Sequence, residues 1–148
     1  MIFRLKKGDL IDILAPGSFI DDAENFQKGI EILKSWGLEI NENNCLSKKF
    51  GYFAGDDLTR FEELEKAQNS KLIIFAKGGW GSARLLEKEP SWQHGLMLGF
   101  SDTCSLLLSK YSQGFIGSIH GPMVTSLFKE PEWSLERLRN LLFEGYVE

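Results

Sequence analysis

Short apolar runs alternate with longer amphipathic segments along this chain of 148 residues. Five of the runs have the length and composition of buried strands. They are predicted at residues 10–14, 38–40, 71–76, 96–98 and 115–119. The run at 71–76 is apolar throughout after its first lysine, which is typical of a strand covered on both faces by helices in a parallel sheet.

Segments of helical periodicity follow the strands. The first is predicted to begin at Asp21 or Asp22, either of which can cap a helix, and to end at Gly37. The second begins at Asp56 and Asp57, and shorter helices follow the turns near residues 81 and 101. The apolar positions at helical spacing are Phe26, Ile30 and Leu33 in the first helix, Leu58, Phe61, Leu64 and Ala67 in the second, and Leu135, Leu138 and Leu141 in a last helix over residues 134–143.

Strands and helices in alternation predict an α/β fold, because each parallel strand needs a crossover helix to return the chain. We expect one three-layer domain with a mostly parallel sheet of about five strands and helices on both faces. Between the second strand and the second helix lies a polar, glycine-containing loop at residues 41–55. Loops of this length inside a compact domain are often functional.

Composition excludes several classes of protein. With 43% hydrophobic and 26% charged residues and a net charge of −4, the chain resembles an ordinary globular protein and has no general attraction to nucleic acid or anionic membranes. No apolar run approaches the length of a membrane span, and the amino terminus is charged too early for a signal peptide. Cys45 and Cys104 lack metal-ligand spacing, so we expect reduced thiols, a cytoplasmic location, and neither metal nor cofactor.

The unusual turns of the chain all follow predicted strands. In an open parallel sheet, ligands bind at the carboxyl ends of the strands, where these turns and the first residues of the following helices meet. The sequence therefore predicts a site at this edge. The turns are Ala15-Pro16-Gly17-Ser18, Lys77-Gly78-Gly79-Trp80-Gly81, Gly99-Phe100-Ser101-Asp102 and His120-Gly121-Pro122.

Ser101 lies where a buried strand gives way to a helix. A side chain at such a corner projects from the sheet edge, and the first amides of the helix point outward, so the corner can activate a hydroxyl and hold an anion. The competing interpretation is that Ser101 merely caps the helix. A nearby glycine turn could supply backbone donors for an oxyanion, although glycines at 78, 79 and 81 are also explained by a tight turn.

A serine nucleophile needs a base, and the chain has two histidines. His94 precedes the fourth strand, so it is predicted at the opposite edge of the sheet, with a surface or structural role. His120 ends the fifth strand at the same edge as Ser101 and can contribute to the site or support it. Neither histidine is assigned as the base by the sequence.

Five motifs together resemble the LD-carboxypeptidases, a family of cytoplasmic serine peptidases that remove the terminal D-alanine of murein tetrapeptides and that has microcin-processing relatives. Each motif is modest, but their order along nearly the whole chain is specific. The motifs are Gly8-Asp9 with the first strand and Ala15-Pro16, Gly51-Tyr52-Phe53-Ala54-Gly55, Gly78-Gly79-Trp80-Gly81-Ser82-Ala83-Arg84-Leu85-Leu86, Gly99-Phe100-Ser101-Asp102-Thr103, and His120-Gly121-Pro122-Met123.

The resemblance implies a role for each matched position. It makes Ser101 the nucleophile and the backbone N–H groups of Asp102 and Gly79 the oxyanion hole. It also implies a flavodoxin-like or class I glutamine amidotransferase-like fold and a small peptide as the partner, with a homodimer left open. The substrate cleft is assigned to Gly78, Trp80, Gly81 and His120.

The chain departs from the family in sequence and in length. Lys77 replaces a more usual Arg and Trp80 a more usual Tyr, changes that bear on substrate choice. The Glu and His that complete the family's triad belong to a carboxyl-terminal domain, so residues 1–148 are interpreted as the amino-terminal, nucleophile-bearing domain, nearly inactive alone. Two alternatives stay open: a small-anion or nucleotide-binding module without catalysis, and a remnant that pairs with a separate polypeptide.

Overall fold

A computed structural model of the chain describes residues 3–41 and 47–147. Strands and helices alternate along it, as the sequence predicts. In chain order they are β1 (Leu10–Leu14), α1 (Ala23–Ser35), β2 (Glu39–Asn41), α2 (Asp57–Lys66), β3 (Leu72–Phe75), β4 (Leu96–Gly99), α3 (Cys104–Ser112), β5 (Ser118–His120) and α4 (Glu132–Glu144). Within the described residues, 3-10 helices also cover Ser82–Lys88, Ser101–Thr103 and Val124–Lys129.

The five strands form one sheet in the order β2-β1-β3-β4-β5, and every neighbouring pair is parallel. In the centre of the sheet, Ile13 pairs with Ile74, Ile74 with Leu98, and Leu98 with Ile119. The predicted α/β fold with a parallel sheet is confirmed.

Two apolar cores lie on opposite faces of the sheet, because successive strand side chains point to opposite sides. Ile11, Ile13 and Ile74 pack against α1, α4 and the turn at 124–129. Ile73 and Met97 pack against α2, α3 and the turn at 82–88. The three-layer arrangement follows from this alternation.

Helix caps confirm part of the predicted pattern. The Asp22 carboxylate accepts a hydrogen bond from the Asn25 amide at 3.0 Å, and the Asp56 carboxylate accepts one from the Thr59 amide at 2.7 Å. Asp57 instead forms ion pairs. Each cap satisfies an amide that has no partner within its own helix.

Several element boundaries and one buried face differ from the prediction. Strand β5 starts at Ser118 rather than at 115, after Gly114 and Gly117 with positive φ angles of 87° and 113°, which interrupt an extended strand. In α2, Leu58 is 53% exposed, so its assignment to the apolar face is wrong. The buried positions of α2 are Arg60 and Leu64, four residues apart.

The carboxyl-terminal part also holds structure that the sequence pattern missed. The turn at 124–129 packs against α1, where the backbone at Gly29 approaches Val124 too closely for a larger residue. Helix α4 begins two residues earlier than predicted, with Pro131 in extended conformation as its cap. A proline is tolerated there because its missing N–H would have no partner.

Some expectations concern the thiols and the membrane. Cys104 is a half-buried free thiol, and Cys45 lies outside the described residues. In residues 3–41 and 47–147, no helix is both long and apolar enough to cross a membrane. The same residues contain no group of three or more His, Cys, Asp or Glu side chains placed to hold a metal ion.

Candidate active site

The turns after β1, β3, β4 and β5 meet at the carboxyl edge of the sheet, as the parallel topology requires. The chain leaves β1 toward β2 on one side and returns to β3 on the other, so strand order reverses between β1 and β3. Such a reversal opens a crevice between the two loops that start there. The loop at 15–18 and the glycine loop at 77–81 flank this crevice.

Ser101 projects from the end of the neighbouring strand β4. It is exposed, begins the 3-10 turn that leads into α3, and has a φ of 59°. A positive φ is uncommon for a residue other than glycine and costs about 1–3 kcal/mol. The strand, the strained serine and the following helix form a sharp strand-to-helix corner, which we call the elbow. The sequence predicted the corner but not its strained backbone.

The glycine loop lies directly against Ser101. A Cβ atom built at Gly78 would lie 3.1 Å from Ser101 Oγ, so glycine leaves room for the hydroxyl. Gly79 has a φ of 109°, and its amide donates to no acceptor among the described residues. The structure therefore brings Ser101 and the predicted oxyanion loop together.

Trp80 extends this loop as an exposed aromatic surface. Trp80 is 54% exposed, and its ring stacks on that of Tyr52 with centroids 4.9 Å apart and planes 20° apart. Phe53 meets the Trp80 ring edge-on, also at 4.9 Å. The strand-like contacts from Phe19 N to Tyr52 O and from Ala54 N to Gly17 O hold the aromatic loop beside the crevice, at 3.0 Å each.

Arg60 holds these loops together from a buried position in α2, a role that the sequence pattern does not predict. Its buried guanidinium donates to the carbonyls of Gly55, Pro16 and Gly81, and it pairs with Asp57. The spacing of Arg60 four residues before buried Leu64 is the signal that could have revealed it.

A second ion pair continues from Asp57 to the surface. Arg84 makes a bidentate contact with the Asp57 carboxylate at 2.7–3.1 Å. The hydrogen bond from Arg84 lowers the pKa of Asp57, and the charge of Arg60 acts in the same direction. The two arginines therefore keep this carboxylate ionised.

Gly81 and Asp102 join the glycine loop to the elbow. Gly81 is buried against Phe53. The carboxylate of Asp102 accepts a hydrogen bond from the Ser82 amide at 3.0 Å, and the Asp102 carbonyl accepts one from the Ser82 hydroxyl at 2.7 Å. Ser82 belongs to the glycine-rich motif of residues 78–86, but the sequence pattern does not predict this role.

The histidines lie at opposite edges. His120 ends β5 in register with Gly99, is exposed, and has its ring 6.2 Å from that of Phe100. His94 precedes β4, and its Nδ1 accepts a hydrogen bond from the Ile116 amide at 3.1 Å. In the part of the chain that the structure describes, no side chain hydrogen-bonds to Ser101 Oγ.

Lys77 borders the site on the side of α1. Its ammonium pairs with Asp21 at 2.5 Å, and this hydrogen bond lowers the pKa of the Asp21 carboxyl. The pair lines a small cavity of about 160 Å³ with Asp22, Asn25 and Lys129. The cavity is polar and carries both signs of charge.

Solved structures with this architecture include an MccF-like protein from Bacillus anthracis, with a TM-score of 0.84, 22% identity, and coverage of 96% of this chain and 46% of that one. A muramoyltetrapeptide carboxypeptidase from Oxalobacter formigenes matches with a TM-score of 0.69, 25% identity, and coverage of 88% and 47%. The first likeness concerns the fold alone.

Sequence comparison finds two relatives named as putative carboxypeptidases. One, from Synechocystis, is 39% identical over 148 residues, which covers 93% of this chain and 48% of the relative. The other, from Vibrio cholerae, is 29% identical over 139 residues and is covered to 40%. The chain thus spans 48% and 40% of the lengths of these two curated relatives.

The protein-family model of the LD-carboxypeptidase N-terminal domain, Peptidase_S66, matches residues 11–121. The match runs from β1 to the turn after β5, and so includes the glycine loop, the Ser101 elbow and His120. The chain belongs to the LD-carboxypeptidase family, a family of peptidases.

Proposed function

We propose that this chain is the amino-terminal, nucleophile-bearing domain of a cytoplasmic serine LD-carboxypeptidase that releases the terminal D-alanine of murein tetrapeptides in peptidoglycan recycling. Family membership supports a carboxypeptidase. The observation that carries the finer proposal is the exposed hydroxyl of Ser101, held at a positive φ beside Gly78.

In the proposed reaction, Ser101 Oγ attacks the carbonyl carbon of the terminal peptide bond. The carbonyl oxygen becomes an oxyanion, and the amides of Gly79 and Asp102 donate to it. Collapse of this intermediate breaks the C–N bond, and D-alanine leaves after its nitrogen receives a proton. Water then hydrolyses the serine ester and frees Ser101.

Each step needs a group that accepts and returns the serine proton. Among the described residues, none hydrogen-bonds to Ser101 Oγ. The resemblance assigns the base and its partner, a His and a Glu, to a carboxyl-terminal domain. We therefore assign the base to a segment beyond residues 1–148, and we expect low turnover by this segment alone.

The surroundings of Ser101 suit a peptide. Trp80 offers an exposed ring next to the proposed oxyanion donor Gly79, and His120 lies at the end of the neighbouring strand. Gly78 leaves the nucleophile open to an approaching carbonyl. Gly81 supports Trp80 from a buried position, so its proposed part in the cleft is indirect.

A chimera tests the proposal with a complete length of chain. Residues 1–148 replace the matching half of the Synechocystis relative, which is 39% identical over this region. We expect the chimera to release D-alanine from a murein tetrapeptide, as followed by chromatography. Ser101→Ala should reduce kcat/KM at least about a thousandfold, because the nucleophile is lost.

Ser112→Ala is the matched control, since Ser112 is an exposed serine at the far end of α3. It should retain the activity of the chimera. Unchanged turnover in a folded Ser101→Ala chimera would refute the assignment of the nucleophile. A folded chimera without activity on any tetrapeptide, beside an active parental relative, would refute the proposed reaction.

A further inference from the structure

Asp102 directly follows the proposed nucleophile, yet its side chain is used inside the fold. Its Oδ2 accepts a hydrogen bond from the Ser82 amide at 3.0 Å, and its carbonyl oxygen accepts one from the Ser82 hydroxyl at 2.7 Å. We call this pair of hydrogen bonds the Ser82–Asp102 bridge. Ser82 is completely buried, and its Oγ also lies 3.0 Å from Ser105 Oγ.

The loop after β1 packs against the same bridge. A Cβ built at Gly17 would lie 2.8 Å from Asp102 Oδ2 and 2.8 Å from the carbonyl oxygen of Trp80. Three segments therefore meet at Asp102: the loop after β1, the end of the glycine loop and the elbow after β4. Such close contact leaves Asp102 little freedom to shift relative to Trp80.

We propose that Ser82 and Asp102 are positioning residues that fix the distance between Ser101 and the amide of Gly79. This inference rests on the proposed function, because it concerns the spacing of a nucleophile and an oxyanion donor. A donor is effective only within about 2.7–3.1 Å of the oxyanion. Glycine has the widest choice of backbone angles, so the glycine loop depends on contacts with its neighbours to keep one conformation. The bridge ties the end of that loop to the elbow.

A thiol in place of the hydroxyl can report this geometry in the chain as it exists. We replace Ser101 with Cys in a background that carries Cys45→Ser and Cys104→Ser, so that one thiol remains. Backbone amides and a helix start lower the pKa of a cysteine thiol below its usual value of about 8.5. We expect the pKa of the Ser101→Cys thiol to be at least about one unit lower, measured by the pH dependence of its alkylation rate.

Two further changes then loosen the bridge without altering any charge. Ser82→Ala removes the hydrogen bond to the Asp102 carbonyl, and Gly17→Ala inserts a methyl group against Asp102 and Trp80. Each should raise the thiol pKa by about half a unit or more, while Ser112→Ala should not change it. Asp102 and Lys77, the charged residues that adjoin Ser101 and Gly78 in sequence, are retained in every variant.

Amide hydrogen exchange over residues 77–82 gives a second readout that involves no thiol chemistry. The amide of residue 82 donates to Asp102 Oδ2 within the bridge, and we expect it to exchange faster in Ser82→Ala and in Gly17→Ala. If Ser82→Ala does not fold, as shown by circular dichroism, Gly17→Ala decides the outcome. The parental protein is the Ser101→Cys variant without a change at the bridge, and the deciding variant is Ser82→Ala if it folds and Gly17→Ala otherwise. If the parental thiol pKa is lowered, an unchanged pKa in the deciding variant overturns the inference.

The same experiment separates this inference from the proposed function. An ordinary pKa in the parental Ser101→Cys variant would contradict the anion-stabilising corner, whatever the bridge does. Hydrogen exchange alone then tests the bridge: faster exchange of the residue-82 amide in the deciding variant supports it, and unchanged exchange overturns it.

Discussion

Two buried cations donate hydrogen bonds to loop carbonyls, one at each edge of the sheet. At the carboxyl edge, Arg60 donates to carbonyls of three loops and pairs with Asp57. At the amino edge, Lys110 of α3 donates to the carbonyl of Gly95, just before β4. Both side chains are almost fully buried. The two cations show how differently an arginine and a lysine tolerate burial beside loop carbonyls.

The difference lies in the number of partners. Arg60 has a counter-ion and spreads its N–H groups over several acceptors, and a guanidinium stays charged. Lys110 has no ion-pair partner in the described part of the chain, and burial lowers its pKa to about 8. An arginine can therefore fix the loops of the candidate site at any physiological pH, whereas Lys110 is near its own titration point.

Removal of Arg60 should have the largest effect. Arg60→Ala leaves the carbonyls of Gly55, Pro16 and Gly81 without this donor and leaves Asp57 with one fewer cation. We expect a loss of about 3–5 kcal/mol in the free energy of unfolding, the range for a buried charge network broken on one side. Urea denaturation at pH 7 measures it.

Arg60→Lys sharpens the same comparison. The lysine ammonium keeps the charge but lacks the planar fork that reaches several separate carbonyls. The free energy of unfolding of Arg60→Lys should therefore lie between those of the wild type and Arg60→Ala. If Arg60→Lys matches the wild type, charge alone accounts for the support of the loops. If the free energy of unfolding of Arg60→Ala falls by less than about 1 kcal/mol, the network does not contribute to stability as proposed.

The second prediction concerns the pH dependence at Lys110. Its pKa is about 8 in the folded chain and about 10.5 when unfolded, so the unfolded chain holds more protons between these values. Stability must therefore rise with pH across this window. We expect the wild type to gain about 2 kcal/mol relative to Lys110→Met between pH 8 and 10.5. Urea denaturation of both chains across this range measures the gain, and parallel pH profiles would contradict it.

These contacts also show what the sequence could predict. The periodicity of apolar residues predicted the order of strands and helices, because burial on both faces leaves a continuous apolar pattern at β3. The family resemblance directed attention to Ser101 and Gly79. The spacing of Arg60 from Leu64 could mark it as buried, but neither route could predict the partners of Arg60 or Ser82, since tertiary folding brings them from distant segments. The positive φ of Ser101 likewise depends on how β4 meets α3.

The third prediction concerns strain at the carboxyl edge. Ser101 and Glu89 are the residues other than glycine with positive φ in the described chain, at 59° and 53°. Replacement of Ser101 by Gly removes the steric cost of its Cβ, so stability should rise by about 1 kcal/mol in urea denaturation. Ser101→Ala should give no such gain. The stability of Glu89→Gly should increase by a similar amount, because Glu89 has the same backbone strain. If Ser101→Gly is no more stable than Ser101→Ala, the elbow is not strained.

The smallest effect is expected at the exposed end of the Arg60 network. Arg84 pairs with Asp57 at the surface, where solvent screens the charges, so Arg84→Ala should lower stability at pH 7 by less than the Ser101→Gly change. The pKa of Asp57 is lowered in the folded chain, chiefly by Arg84. Its contribution is therefore complete above the usual aspartate pKa and is lost as the pH falls through the folded value. The urea midpoints of the wild type and Arg84→Ala should therefore differ at pH 7 and converge in acid. A difference that persists at low pH would mean that Arg84 stabilises the fold by packing on Phe53 and not through the ion pair.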